Sequence, residues 1–126
     1  MPQRKNMVLF DANMILRYLL NDNPYMAEKA EEYLNQSTVT ITTEVIAEVV
    51  YVLRGVYHME RTMTADVVLD FLQMVQCRDK EVVRIALETY GRENLDFVDC
   101  VLYAYHKTAG AEIAAFDRKL LHLMAR

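Results

Sequence analysis

Four carboxylates, Asp11, Glu48, Asp99 and Asp117, are scattered along the 126-residue chain, each set against apolar sequence where an ionised group is awkward. Gathered by folding, such groups suit one or two hard divalent cations: Mg2+ and Mn2+ prefer oxygen ligands, and Mg2+ typically takes one or two carboxylates while keeping several waters. A cation held this way lowers the pKa of a water, orients it towards a phosphodiester and stabilises charge on the leaving oxygen. The chemistry expected of this set is metal-assisted phosphodiester hydrolysis.

Each acid also has an ordinary structural reading. Asp11 closes the apolar run Met7–Phe10 and would end a strand or cap the next helix, because Asp is a good N-cap. Asn13 is then a turn residue, or else a hydrogen-bonding support for Asp11. Glu44 and Glu48 stand i, i+4 on one helix. The helix dipole in the first turn explains Glu44. Glu48 lies nearer the apolar arc and reads either as a solvated flank residue or as a ligand. Asp96 and Asp99 occupy the cap and N3 positions of one helix, close to a capping box, and the positive helix end would keep both ionised, as a metal ligand requires. Asp117, followed by Arg118 and Lys119, forms a surface ion pair or completes a metal site while the two cations meet substrate phosphates. Taken one at a time, the residues leave both readings open.

The elements that must position these acids alternate between strand and helix. Met7–Phe10 reads as a buried strand, Ala12–Leu20 as a helix, and Asn21–Pro24 as a turn. Tyr25–Leu34 is a polar helix, and Ser37–Thr43 is a second strand on its β-branched residues. Thr43–Tyr57 is the clearest helix, its apolar arc carrying Val45, Ile46, Val49, Val50, Val52, Leu53 and Val56 at about 100° per residue. Helix is also expected over Thr64–Val75, with a third strand at Glu81–Ala86 and a helix at Leu87–Glu93. A helix starting at Phe97 behind Asp96 ends at Gly110, a fourth strand covers Glu112–Phe116, and a short basic helix covers Arg118–Met124. This alternation implies a mostly parallel sheet covered on both faces, with Asp11 and Asp117 at strand ends, where open α/β sheets place their active crevices.

Composition narrows the function classes. At 53% hydrophobic and 25% charged residues, the chain is expected to form one domain over 1–126 with a real core. Three glycines and two prolines leave no linker and no glycine-rich phosphate cradle. A net charge of −4 argues against a large nonspecific DNA binder but not against a nuclease, whose bound ions would add their own positive charge. Cys77 and Cys100 lack a close-spaced partner and read as buried thiols from a reducing compartment. The stretch Met7–Leu20 is broken by Asp11, Asn13 and Arg17, so neither a signal peptide nor a membrane span is expected, and the cytoplasm is the expected location. His58, His106 and His122 show no metal spacing, and Tyr51, Tyr103 and Tyr105 read as core or interface. A phosphorelay receiver is disfavoured because Asp11 is followed by Ala12, and no Asp follows the expected third strand.

Four segments in order, FDANMILRYLL with Asp11 and Asn13, ITTEVIAEVVYVL with Glu48, LDFVDCVLYAY with Asp99, and IAAFDRKL with Asp117, together resemble a PIN domain. Their wording and the chain length look like VapC-type toxins of bacterial and archaeal toxin–antitoxin pairs. The resemblance implies an α/β fold, a three-layer α/β/α sandwich with a parallel sheet, and a Mg2+- or Mn2+-dependent endoribonuclease cutting structured RNA such as tRNA or rRNA. It implies Asp11, Glu48 and Asp99 as metal ligands and Asp117 as a fourth acid supporting a second metal or a water. Asn13 and Asp96 would be auxiliaries. It further implies a homodimer neutralised by a VapB-like antitoxin that occupies the active-site groove. Two departures stand out: Ala115 takes the place where relatives often carry Thr or Ser, and the sequence stops at Arg126, soon after the last helix. The first keeps alive a catalytically inert PIN-like binding module. A housekeeping RNA-processing nuclease is the other alternative to a toxin.

Overall fold

The computed structural model describes residues 6–126. Three short strands, β1 (Met7–Leu9), β2 (Thr38–Ile41) and β3 (Gln76–Cys77), form a parallel sheet in that order. Val8 pairs with Val39 and Ile41 with Cys77. Parallel neighbours need crossovers, and helices supply them. Between β1 and β2 run α1 (Ala12–Leu20) and α2 (Pro24–Gln36), and between β2 and β3 run α3 (Thr43–Gly55) and α4 (Arg61–Leu72). After β3 come α5 (Lys80–Arg92), α6 (Phe97–Ala109) and α7 (Arg118–Met124). The architecture is the α/β arrangement expected of a PIN-like fold.

Side-chain chemistry sets the helix starts. Asp11, Asn23, Thr42 and Asp117 each accept a hydrogen bond from a backbone N–H three residues on, opening α1, α2, α3 and α7. At the other end, Gly110 stops α6 with φ 66°, a left-handed conformation in which a Cβ is costly. One apolar cluster joins the elements: Ile15, Ile41, Ile46, Leu53, Phe71, Leu87 and Leu120 are all fully buried. Helix α5 packs on both α4 and α6. Its Gly91 makes the first contact close, since a Cβ there would lie 3.1 Å from Ala65 Cβ.

Two expected strands are corrected. Glu81–Ala86 lies inside α5, and the third strand is the two-residue Gln76–Cys77 instead. Val82, Val83, Ala86, Leu87 and Tyr90 are buried at helical spacing, so the period of the pattern outweighs the β-branched pair. Segment 112–116 forms no strand among the described residues, although its exposure alternates, with Ile113 and Ala115 half-buried and Phe116 fully exposed. β1 therefore has β2 as its one strand neighbour among the described residues, and Met7 and Leu9 are exposed. Cys77 belongs to β3 and is half-buried rather than buried, while Cys100 is buried as expected. Tyr51 is exposed and so not a core residue, whereas Tyr103 is buried.

Candidate metal centre at the starts of α6 and α7

Asp96 and Asp99 enter from the N-terminus of α6, and Asp117 from that of α7. With Arg61, Arg118 and Lys119 they line an open cleft of about 370 Å3. Folding therefore brings together two of the four acids singled out in the sequence, Asp99 and Asp117, and adds Asp96. Asp11 stands at the C-terminal edge of β1 and lines a separate shallow cleft with Phe10, Met14, Lys29 and Tyr33. Glu48 is exposed on α3 and lines neither of these clefts; it is no more buried than Glu44. Asn13 is exposed beside Asp11.

The three acids of the cleft are held in different ways. Asp117 caps α7 through an N–H donated by Leu120 at 2.9 Å, and among the described residues it forms no ion pair with Arg118 or Lys119. Asp96 stands at the cap position of α6, but its side chain makes no capping hydrogen bond. Asp99, one turn into the helix, is half-buried. Its pKa is raised above the ordinary carboxylate value, first by burial, then by the charges of Asp117 and Asp96. Cys100 behind it is fully buried, and burial pushes its thiol up to about 12, so no thiolate stands near the carboxylates at neutral pH.

A like-charge cluster that raises one member's pKa is relieved by a cation at its centre. The donors here are hard oxygens, which suit Mg2+ or Mn2+ rather than a soft metal. Among the described residues, no group of three or more His, Cys, Asp or Glu side chains is close enough to hold a metal by itself. Mg2+ is usually bound by one or two carboxylates with water completing its shell. Asp99 and Asp117, with Asp96 at the rim, thus fit a hard divalent cation.

Reading the sequence residue by residue missed Arg61. Its Nη1 donates to the carbonyls of Tyr90, Glu93 and Leu95 at 3.0, 2.9 and 2.8 Å, and its guanidinium lies 4.0 Å from the centre of the Tyr90 ring. The sequence held no such signal, because the helix expected there began at Thr64 and left Arg61 outside its first turn.

A second acid-rich cleft, between α4 and α5, measures about 550 Å3 and carries Asp66, Asp70, Glu81 and Glu88 with Lys80 and Arg84. There Arg84 donates to both Glu81 and Glu88, and this pairing lowers the pKa of Glu81. Lys80 is turned to the Val75 carbonyl at 2.9 Å.

No helix among the described residues is long and apolar enough to cross a membrane. No curated protein and no solved structure matches the chain. The profile of the PIN domain matches residues 8–125, from β1 to the end of α7. On that match the chain belongs to the PIN domain family, whose members are in general metal-dependent nucleases.

Proposed function

We propose that this protein is a Mg2+- or Mn2+-dependent endoribonuclease, the toxin of a VapBC-type toxin–antitoxin pair, acting on structured RNA such as tRNA or rRNA. The observation that carries the reading is the unneutralised set Asp96, Asp99 and Asp117 beside Arg118 and Lys119 in one open cleft. Asp99 and Asp117 would hold the cation, with Asp11 and Glu48 as the further ligands that the resemblance implies. When bound, the ion supplies a more acidic water and charge stabilisation at the leaving oxygen. The protein's own residues do the rest. Arg118 and Lys119 meet backbone phosphates, which places the RNA without reading its bases. The N-terminus of α6 favours the ionised form of Asp99 against the repulsion of its neighbours. Homodimerisation and neutralisation by a VapB-like antitoxin belong to the same reading.

The decisive experiment is RNA cleavage by wild type, Asp99→Asn and Asp11→Asn with Mg2+ or Mn2+, alongside growth inhibition on expression. Asn caps helices as well as Asp, so the Asp11→Asn exchange keeps the start of α1. Cleavage by both variants at the wild-type rate would remove the metal-site assignment. A second reading, an inert PIN-like binding module, is favoured by Ala115, which itself carries no hydroxyl, and by the position of Asp11 in a cleft other than the acidic one. Calorimetric titration with Mn2+ separates the two, because an inert module shows no binding that depends on Asp99.

A further inference from the structure

Helix α6 delivers Asp99 to the cleft, yet it lacks the usual local anchor, since Asp96 at its cap position makes no side-chain hydrogen bond to the first turn. The connection from α5 to α6 is short, running through Glu93, Asn94 and Leu95 to Asp96, and the final carbonyls of a helix have no partners within it. Arg61 supplies the missing anchor. From the first position of α4 it gathers the carbonyls of Tyr90, at the C-terminal end of α5, and of Glu93 and Leu95 in the connection, all on Nη1. Its guanidinium stacks on Tyr90, whose ring meets Phe97, the first residue of α6, edge-on at 6.0 Å between centroids. Gly91 against Ala65 lets α4 come close enough for this reach. A cation is unfavourable at the start of α4 but favourable at the end of α5, so its position is explained by what it binds.

We propose that Arg61 is a positioning residue: it fixes the α5–α6 connection and thereby the direction from which Asp99 enters the acidic cleft. Its consequence for catalysis rests on the nuclease reading; its structural part does not. The three acceptors converge on one nitrogen, so a lysine ammonium, with three donors, is the conservative replacement, and methionine keeps the length without a donor.

The test compares Arg61→Met and Arg61→Lys with wild type in two measurements. In the first, amide hydrogen exchange of residues 94–100 is followed in the metal-free chain. Arg61→Met should speed exchange there by about tenfold or more while α1 and α3 keep their wild-type rates, and Arg61→Lys should recover most of the protection. In the second, RNA cleavage with Mn2+ is resolved into kcat and KM. Arg61→Met should lower kcat by about tenfold to a hundredfold with KM nearly unchanged, the effect of a misplaced group rather than a lost substrate contact. Unchanged exchange at 94–100, a uniform rise along the whole chain, or a change in KM alone would each overturn the proposal. If the wild type cuts no RNA and binds no Mn2+, the nuclease reading fails, while the exchange result still decides the anchoring role of Arg61.

Discussion

The two acid-rich clefts differ in what their cations are committed to. Between α4 and α5, four carboxylates face Lys80 and Arg84, and at the starts of α6 and α7, three carboxylates face Arg61, Arg118 and Lys119. By a count of charges the first cleft is the more acidic. Yet Arg84 is bonded to both Glu81 and Glu88, which holds Glu81 low, whereas Arg61 donates to backbone carbonyls and none of the described ion pairs joins a base to Asp96, Asp99 or Asp117. Asp99 is raised, first by burial and then by the charges of Asp117 and Asp96, while Glu81 is lowered by its bond to Arg84. Asp66 and Asp70 of the first cleft join no described ion pair either, so the contrast rests on what the bases do: Arg84 is held by two carboxylates and Arg61 by backbone carbonyls.

The largest expected effect that breaks or upholds this contrast is on RNA cleavage. Asp99→Asn should reduce the Mn2+-supported rate by about a hundredfold or more, while Glu81→Gln leaves it within a factor of two of wild type. A gel assay on labelled tRNA measures both, and equal losses would erase the distinction between the clefts.

Next in size is stabilisation by the ion. Saturating Mn2+ at about a hundred times its dissociation constant should stabilise the wild type by about 2.7 kcal/mol, a rise of several degrees in thermal midpoint. Asp99→Asn should abolish this rise and Glu81→Gln should keep it. Differential scanning calorimetry at fixed pH and ionic strength reads both.

A smaller effect lies in pH, and its sign differs between the clefts. With its folded pKa raised, Asp99 contributes stability below its unfolded pKa and loses it as pH rises through the folded value. Glu81, with its folded pKa lowered, contributes stability above its unfolded pKa and loses it as pH falls through the folded value. Carboxyl titrations by NMR in the metal-free chain, across roughly pH 2 to 7, should therefore place Asp99 above and Glu81 below their ordinary values. Divalent ions should pull the Asp99 midpoint down and leave that of Glu81 in place.

The smallest effect is that of Arg84→Met. This exposed group sits on a helix surface where ion pairs are screened, so the thermal midpoint should move by no more than about 2 °C. A shift comparable to that of losing Mn2+ would mean that the α4–α5 cleft also has a structural centre.

The sequence showed the local half of this arrangement. Asp11 caps α1 as its type suggests, and α6 runs from behind Asp96 to Gly110, whereas Asp117, read as an ion-pair partner or a ligand, caps α7. Helical spacing was likewise visible in α3, where Ile46, Val49, Val50 and Leu53 are buried. The misjudged places have different causes. Val82 and Val83 are β-branched, yet the apolar spacing that runs on through Ala86, Leu87 and Tyr90 is helical, and β3 is two residues long, too short to leave a period. Glu48 was ranked above Glu44 by its angle to the apolar arc, and both are exposed, since that angle says nothing of which neighbour covers the flank; its role as a ligand is a separate matter. Arg61 was missed because its three acceptors are backbone carbonyls some thirty residues away, and carbonyls carry no signature in sequence.

Placing acidic side chains at helix caps has an evolutionary consequence. Asn and Asp cap a helix about equally well, and one base change converts the codon of Asp into that of Asn. At Asp11 or Asp117 such a change would remove a negative charge from the protein and leave the start of α1 or α7 in place. A lineage could thus move from a metal-dependent nuclease to an inactive binder without passing through an unstable intermediate, and the folded scaffold would remain available for a new role.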